Sequence, residues 1–600
     1  MDYFYAQRAA AFTAQAEAAD RQVRRYSNLR LALFSVAILL FIIFRDHGAA
    51  TLITLGVATL LFALLVRTQR RHRERRRHFS ARAGLCRVGV ARHRRTWQEL
   101  PVVLREAADA AHPYAGDLDL LGAPSVSQLF GPVYTLHGQR ALRAWLLEAA
   151  DVATIEARQQ AVQELSRHID FRELLAVEAQ RIDRASHRRL EQFMSWVTQA
   201  GGRPLPSVVI WLVRALPVAS IALMIVHSAG LTERSWWLVP LAISAATSAL
   251  YLRRIYAEFD AAFSREPAPL AYAPIFAAAE HAPGSSNLLQ RIRGKLVADG
   301  HSAAQRIRTL ERIMMSSDAR RAGILAMIFE VVFLWSFHVL IALQRWRAGA
   351  RRYVPDWFAA LGELEALSSM ATLTHDHLTW CFPHVAATGD SIVAEGVGHP
   401  MLADAVRVAN DIGVGPPGTL LLITGSNMSG KSTLLRSLGV NTVLAHAGAP
   451  VCAVQYRTPH LRLYSSVNVQ DSLAQGVSLY MAQLKRLQQI VEAARATPAD
   501  ELTLYLLDEI LSGTNSADRT AGVRAVVHYL MQTRSIGVLA THDLALATDP
   551  RLQQAATFIH FSDHFDAAAR TMSFDYRIRP GPVRTSNALE LMRLLGLPVE

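Results

Sequence analysis

The sequence predicts an α/β domain with a phosphate-binding loop, attached to a mainly α-helical region that carries apolar helical hairpins. Three observations predict this fold class. A glycine loop with the spacing G-x-x-x-x-G-K-S occupies residues 425–432, between an apolar run and a helical pattern. Two further apolar runs downstream of the loop end in polar residues, as buried parallel strands do. Long apolar runs upstream of the loop have the composition of membrane helices.

The glycine loop reads Thr-Gly-Ser-Asn-Met-Ser-Gly-Lys-Ser-Thr over residues 424–433. An apolar run at 420–423 precedes it, and leucines at helical spacing follow it, so an ordinary glycine turn is the weaker interpretation. Strand, loop and helix together aim backbone N–H groups at phosphates. Lys431 is expected to reach the β- and γ-phosphates of ATP, and the Ser432 hydroxyl to ligate Mg²⁺. The predicted ATP-binding residues are Gly425, Ser426, Asn427, Met428, Ser429, Gly430, Lys431, Ser432 and Thr433.

Two predicted strand ends downstream supply the remaining polar groups of an ATPase. The run at 504–507 ends in Asp508 and Glu509, and the run at 536–540 ends in Thr541 and His542. Asp508 is expected to hold the Mg²⁺ shell, and Glu509 to orient and deprotonate the attacking water. A lone histidine is more often structural, but this one follows a strand of the same sheet, which favours a γ-phosphate sensor. The predicted catalytic residues are therefore Lys431, Glu509 and His542, which converge where parallel strands end.

The wording of the loop resembles the T-G-P-N-M-x-G-K-S-T loop of the MutS mismatch-repair ATPases, with Ser426 in place of the usual proline. Other segments resemble this family in the same order: 398–400 and 410–411 at the start of its ATPase domain, 471–478 at its D-D-L…G-x-S signature, 540–542 at its A-T-H, and 586–588 with 596–598 at its closing element. The resemblance implies an ATPase domain of the ABC/MutS type that works as a homodimer. It also implies that Ser478 caps the γ-phosphate bound by the partner subunit.

An ABC transporter ATPase is the alternative, because both groups share this ATPase core. Residues 511–513 read Leu-Ser-Gly, the beginning of the transporter signature. In transporters that signature precedes the Asp-Glu strand and opens a helix, whereas here it directly follows Glu509. The position favours the MutS-like interpretation.

Upstream, residues 117–122, 127–130 and 135–147 resemble the start of the MutS helical core, although two amphipathic helices would explain the same spacing. The chain before residue 110 is too short for the mismatch-recognition and connector domains of that family. One nominal match to the mismatch-reading F-x-E, at 171–173, lies inside a helical pattern, and we expect Arg172 and Glu173 on a solvated face. Either Arg407 or Val408 is expected at the position that would stack on adenine.

Apolar runs at 31–44 and 49–66 predict a transmembrane hairpin, although each is slightly shorter than the roughly 20 residues that a spanning helix prefers. The alternative is a buried helical hairpin; a cleaved signal peptide is disfavoured because a second run follows the first. A second pair is predicted at 215–226 and 236–252, shortened on its left side by Arg214. The run at 323–343 is punctuated by Glu330 and His338, and we expect it to form a lever helix feeding the ATPase.

The positive charge of the chain is largely arginine, and the formal net charge is +13. Arginines crowd residues 67–95 and follow the second pair at 253–254, while the connections within the hairpins carry few charges. The positive-inside rule then predicts a multi-pass protein of the inner (plasma) membrane with a cytoplasmic ATPase. The basic run is explained by topology and anionic lipid, with direct DNA contact as the alternative. Three scattered cysteines argue against a disulfide framework or a cysteine metal site.

The expected domains are an N-terminal basic segment with the first hairpin (1–100), a MutS-like helical core (101–206), a second hairpin (207–253), helical core and lever helices (254–375), the ATPase domain (376–565) and a closing dimerisation element (566–600). The expected function is a membrane-anchored, MutS-like ATPase that hydrolyses ATP as a dimer and binds DNA. The alternative is a membrane-bound, ATP-driven mechanoenzyme or scaffold that does not bind DNA.

Overall fold

The structure of the chain, a computed structural model, divides into two compact units. One unit contains Met1–Pro132, Arg143–Arg167 and Ser369–Glu600, and is called the ATPase unit below; the other contains Val133–Leu142 and His168–Ser368, and is called the helical unit. The structure describes residues 1–600 except 46–47, 106–107, 110, 183–184, 200–204, 263–267, 299, 319–323, 427–428, 468–478, 513, 567–570 and 584–600.

Helices make up most of the described chain. They are α1 (Asp2–Phe44), α2 (Gly48–Arg94), α3 (Leu136–Leu147), α4 (Val152–Ser166), α5 (Ile169–Ala179), α6 (Ala185–Thr198), α7 (Ser207–Ser228), α8 (Leu238–Ala262), α9 (Ala273–Ala279), α10 (Asn287–Leu296), α11 (Ala303–Asp318), α12 (Ile324–Phe333), α13 (Trp335–Ala350), α14 (Val354–Asp376), α15 (Lys431–Ala447), α16 (Leu479–Ala496), α17 (Ser516–Leu530) and α18 (Pro550–Ala555).

The strands are β1 (Val297–Ala298), β2 (His301–Ser302), β3 (His384–Ala386), β4 (Ile392–Val397), β5 (Asn410–Val414), β6 (Leu420–Thr424), β7 (Gln455–Pro459), β8 (Arg462–Ser466), β9 (Thr503–Asp508), β10 (Ser535–Thr541), β11 (Ala556–Asp566) and β12 (Thr571–Pro580). The main sheet has the order β12-β11-β6-β10-β9-β8, and a smaller sheet has the order β3-β7-β4-β5. Adjacent strands of the main sheet from β11 to β8 are parallel, and β12 pairs with β11 in the antiparallel direction.

The main sheet is covered on both faces, which explains why its central strands read as continuous apolar runs. Tyr505 and Leu507 of β9 join a buried cluster with residues of α16 and α17. Leu506, which points to the opposite face, packs against α15, where a Cβ on Gly439 would lie 2.8 Å from its Cδ1. The predicted α/β domain is therefore present, and β6, β9 and β10 end at the same edge of the sheet.

In the ATPase unit, α1 and α2 form a long antiparallel hairpin that extends well beyond the predicted apolar runs. Near its base the two helices are joined by polar contacts: Arg76 pairs with Asp20 at 2.6 Å, and Gln69 donates to the carbonyl of Val23 at 3.3 Å. Further along, both helices expose apolar side chains, among them Leu39 and Leu60, which are 58% and 62% exposed. The hairpin thus has a polar base and an apolar outer part, whose most apolar stretches are not buried by any of the described residues.

By length and composition, three helices in the described ranges could cross a membrane: α1, α2 and α7. The first helix of the second predicted pair is longer than the predicted run at 215–226. It begins at Ser207, so Arg214 lies within the helix instead of limiting it. The fourth predicted span falls in α8, which is not one of these three helices. Its apolar part ends where Arg253 and Arg254 follow. The helix α8 therefore combines an apolar N-terminal part with a charged C-terminal part.

The helical unit differs from the sequence prediction at two places. The expected lever helix at 323–343 is two helices, α12 and α13, separated at Leu334, whose φ is +49°. The Glu330 side chain accepts a hydrogen bond from the backbone N–H of Ser336 just after the break, at 3.0 Å, and so caps the start of α13. The expectation that Arg172 and Glu173 lie on a solvated face is wrong, because both are buried in α5 at 6% and 7% exposure.

Candidate functional site

The phosphate-binding loop lies between β6 and the first residue of α15, as the sequence predicts. Gly425 has φ +149° and Gly430 has φ +108°, backbone conformations that L side chains rarely adopt. A Cβ on Gly425 would also lie 2.8 Å from Ser429 Oγ, so a side chain does not fit there. The loop therefore needs both glycines, and it places the N-terminus of α15 at the edge of the sheet. Asn427 and Met428 lie outside the described residues.

Lys431 is the buried cation of the loop, with 4% of its surface exposed. Its Nζ donates to the carbonyl oxygens of Gly425 and Ser426, both at 2.9 Å, and lies 3.7 Å from Glu509 Oε1. Burial lowers the pKa of Lys431, and the carboxylates of Glu509 and Asp508 oppose that shift. A phosphate oxygen would be a stronger acceptor for this ammonium group than a neutral carbonyl oxygen.

Asp508 ends β9 and faces Ser432 in the first turn of α15. Burial raises the pKa of Asp508, and a hydrogen bond with the Ser432 side chain opposes the rise. Within the described part of the chain, Asp508 Oδ1 is buried and has no hydrogen-bond partner. A buried carboxylate oxygen without a donor is costly, and a hard cation would satisfy it. The donor set of Asp508 and Ser432 therefore fits Mg²⁺.

Glu509 and His542 are held against each other at the ends of β9 and β10. His542 Nδ1 donates to Glu509 Oε1 at 3.2 Å, since an ionised carboxylate can only accept. The backbone of Glu509 has φ +43° and its N–H donates to the carbonyl of Ala540 at 3.0 Å. Such a backbone conformation costs energy and persists only where surrounding contacts enforce it. The carboxylate of Glu509 is thus fixed between Lys431 and His542.

A cavity of about 710 Å³ opens beside the loop. This volume lies within the range of small-molecule sites, which runs from about 300 to 1,000 Å³. Loop and strand-end residues line one side of it, namely Gly430, Lys431, Ser432, Thr433, Asp508 and Glu509. The other side is formed mainly by residues of the segment 399–410, including His399, Leu402, Val406 and Val408. The structure therefore brings the predicted phosphate and metal residues together beside a space with partly apolar walls.

Of the two residues considered for adenine, Val408 lines the cavity and Arg407 does not. The Arg407 guanidinium is instead paired with Asp404 at 2.7 Å. Sequence reasoning missed Tyr576 of β12, which lines the cavity and whose ring lies 3.2 Å from where a Cβ on Gly430 would be. No local pattern places β12 beside the loop, because that proximity depends on the pairing of β12 with β11. Tyr576 is thus an aromatic candidate for contact with the base.

The transporter-like tripeptide does not open a helix. Leu511 and Ser512 lie in a turn after β9, with Leu511 at φ +60°, and α17 begins at Ser516 with Asn515 as its N-cap. Gly513 lies outside the described residues, as do Ser478 with its surrounding signature (468–478) and the predicted closing element at 586–598. The predicted role of Ser478 therefore stays a prediction.

Comparison with known proteins bears on the same region. Residues 421–600 match the family described as MutS domain V. The chain is 33% identical over 260 residues to the DNA mismatch repair protein MutS of Natronomonas pharaonis, covering 42% of this chain and 29% of that protein. It is 33% identical over 265 residues to the DNA mismatch repair protein MutS 2 of Halobacterium salinarum, covering 43% and 28%.

A third relative, the DNA mismatch repair protein MutS of Haloquadratum walsbyi, is 31% identical over 247 residues, which is 40% of this chain and 25% of that protein. The matched part thus spans less than a third of each of these curated relatives. The family match contains the phosphate loop and the residues Asp508, Glu509 and His542 at the strand ends. The chain is therefore MutS-like in residues 421–600, where it matches the MutS domain V family.

Proposed function

We propose that this chain binds and hydrolyses ATP, with Mg²⁺, at the edge of the main sheet. The observation that carries the proposal is the convergence of buried Lys431 with the half-buried carboxylates of Asp508 and Glu509 beside the cavity. ATP is the favoured nucleotide because the matched family is an ATPase family and the loop has its wording. Measuring ATP binding and turnover in Lys431→Ala and Glu509→Gln tests the proposal, because the first variant should lose binding and the second should lose hydrolysis alone.

Each residue has a distinct task in this proposal. Lys431 and the N–H groups at the start of α15 bind the phosphates. Asp508 and Ser432 would hold Mg²⁺, which supplies neutralisation of phosphate charge when bound. Glu509 accepts a proton from the attacking water, and His542 keeps that carboxylate in place through the 3.2 Å hydrogen bond. The apolar side of the cavity, with Val408 and Tyr576, receives the base.

The active species in the proposal is a homodimer. The MutS resemblance supports it, because in that pattern Ser478 of one subunit completes the site of the other. ATP binding would then close the two ATPase units on each other. The Glu509→Gln variant tests this closure, because slow hydrolysis should hold the protein in its ATP-bound dimer.

We propose DNA as the load on which this ATPase acts. The names of the curated relatives support DNA, and the basic run along α2 supplies exposed arginines such as Arg71 and Arg75. The second candidate is a membrane mechanoenzyme or scaffold without DNA binding. The apolar hairpin favours this second function.

DNA binding should appear as saturable binding of purified protein to a labelled mismatched or branched duplex, measured by fluorescence anisotropy. Because phosphate contacts release counterions, the affinity should fall by a factor of about 10³–10⁵ between about 50 and 200 mM salt if 6–10 phosphates are contacted. The double variant Arg71→Gln/Arg75→Gln should reduce the salt slope by about two if these arginines touch the duplex. An absence of saturable binding at low salt would leave the mechanoenzyme as the function.

We propose that the α1–α2 hairpin anchors the chain in the inner membrane, with the ATPase unit in the cytoplasm. The exposed apolar stretch of each hairpin helix supports this anchor, and the arginines that follow it on α2 support the orientation. Such an exposed apolar surface would otherwise promote aggregation in water.

A cysteine at Gly48, which lies in open space at the start of α2, should react with a membrane-impermeant maleimide added outside intact cells. A cysteine at Arg71 should react only after the membrane is permeabilised, because the basic run faces the cytoplasm. The wild-type protein, with Cys86 and Cys452 buried, is the background control. Extraction of the protein by alkaline carbonate without detergent would contradict the anchor.

A further inference from the structure

The C-terminal end of α2 contacts the wall of the ATP cavity within the ATPase unit. Arg95 follows the last residue of α2 and adopts φ +59°. That left-handed position after a helix usually holds glycine or asparagine, because other side chains are strained there. An arginine at this position therefore indicates that its side chain makes contacts that compensate for the backbone strain.

The Arg95 side chain is buried, with 8% of its surface exposed, and it reaches across 305 positions of sequence. Its Nη2 donates to the carbonyl oxygen of Pro400 at 2.9 Å and lies 3.3 Å from His377 Nε2, while Nη1 donates to the carbonyl of Arg92. Burial lowers the pKa of Arg95 to about 10, so the group is still charged at neutral pH. A hydrogen bond from a charged donor in a buried place is stronger than a neutral one.

Pro400 does not line the cavity, but it lies in the segment 399–410, several residues of which do; this lining segment is called the wall. His399 and Leu402, on either side of Pro400, both line the cavity. The carbonyl of Gly398, which precedes His399, accepts a hydrogen bond at 3.0 Å from the Asn441 side chain. Asn441 belongs to α15, the helix that directly follows the phosphate loop. The wall is therefore held from two directions, by α15 and by Arg95 at the end of α2.

A stack of side chains supports the same segment from the side of α14. The ring of His377 stacks on Trp380 with centroids 4.2 Å apart. The Arg407 guanidinium lies over Trp380 at 5.8 Å and pairs with Asp404 at 2.7 Å, and its methylene groups pack on Gly398. These contacts limit the positions that the wall can take. The hairpin joins them through Arg95 and through His93, whose ring centroid lies 6.2 Å from that of His377.

We infer that Arg95 is a positioning residue for ATP: through the Pro400 carbonyl it sets the wall formed by residues 399–410 at the distance that the nucleotide requires. The inference rests on the proposed ATP binding. It also means that the helix carrying the candidate membrane span is hydrogen-bonded to the segment whose residues line the nucleotide cavity. Arg95 itself does not line the cavity, so it acts on affinity and not on the chemical step.

The test is Arg95→Gly in the full chain, purified in detergent. Glycine is favoured at this left-handed position, so the end of α2 should be retained while the bond to Pro400 is lost. We expect the KM for ATP to rise about tenfold, the size expected for loss of one charge-assisted hydrogen bond, with kcat unchanged within about twofold. Arg95→Asn should behave in the same way, because asparagine also tolerates this conformation but is too short to reach Pro400.

Two further variants separate positioning from general structure. Arg95→Lys keeps a charged donor and should recover part of the loss in KM. Arg94→Ala removes an exposed neighbour that pairs with Asp2 at 2.8 Å and should leave both constants unchanged. A wild-type KM in Arg95→Gly and Arg95→Asn, or an equal fall in kcat with KM unchanged, would overturn the inference. If the wild-type protein does not turn over ATP at all, the proposed function fails instead.

Discussion

Replacing Lys431 with alanine should weaken ATP binding by about two orders of magnitude, which corresponds to about 2.7 kcal/mol. The ammonium group is buried within the loop and is the only lysine that lines the cavity among the described residues. Its loss removes the charge-assisted donor to the phosphates and leaves Glu509 and Asp508 without their nearest opposing charge. Equilibrium binding of a fluorescent ATP analogue, with turnover measured in parallel, checks this expectation.

The chain offers a matched control for that substitution. Lys485 lies on α16 with its side chain exposed, and Lys485→Ala should leave binding and turnover at wild-type values. Because Lys431 also bonds two loop carbonyls, the thermal unfolding of Lys431→Ala without nucleotide must be compared with that of the wild type. A folded Lys431→Ala protein that still hydrolyses ATP normally would rule out the assignment of the phosphate loop.

The phosphate loop and the strand ends could be predicted because their signals are local. The G-x-x-x-x-G-K-S spacing alone predicts that Gly425 and Gly430 adopt backbone conformations that require glycine. The flanking strand and helix are predicted by their apolar patterns. Asp508, Glu509 and His542 follow buried strands, and parallel strands end at one edge. Their convergence is therefore a consequence of topology that the order of the motifs already contains.

The features that sequence reasoning missed depend on contacts between distant residues. Tyr576 reaches the loop only through strand pairing, and Arg95 reaches Pro400 across 305 positions of sequence. The break at Leu334 has no glycine or proline to mark it. The predicted solvation of Arg172 failed for a related reason, because helical periodicity identifies the faces of a helix but not what packs on them.

Replacing Glu509 with glutamine should preserve ATP binding and slow hydrolysis by a factor of about 10²–10⁴, the usual contribution of a positioned general base. The substitution is nearly isosteric, so the side chain can keep its place near Lys431 and His542 while losing the ability to accept a proton. Binding is expected to equal that of the wild type or to be up to about threefold tighter, because the substitution removes a negative charge that repels the phosphates. Single-turnover measurement of product formation separates the chemical step from product release.

The same variant tests the dimer, because slow hydrolysis should hold the protein in its ATP-bound state. With ATP and Mg²⁺, Glu509→Gln should sediment as a dimer under conditions where the nucleotide-free protein does not. Glu492→Gln is the matched control. The Glu492 carboxylate is exposed on α16 and accepts a hydrogen bond from Gln488 at 2.8 Å, so this variant should hydrolyse ATP normally. If Glu509→Gln turns over ATP at the wild-type rate, the proton acceptor lies elsewhere. The left-handed backbone of Glu509 and its contact with His542 would then be structural.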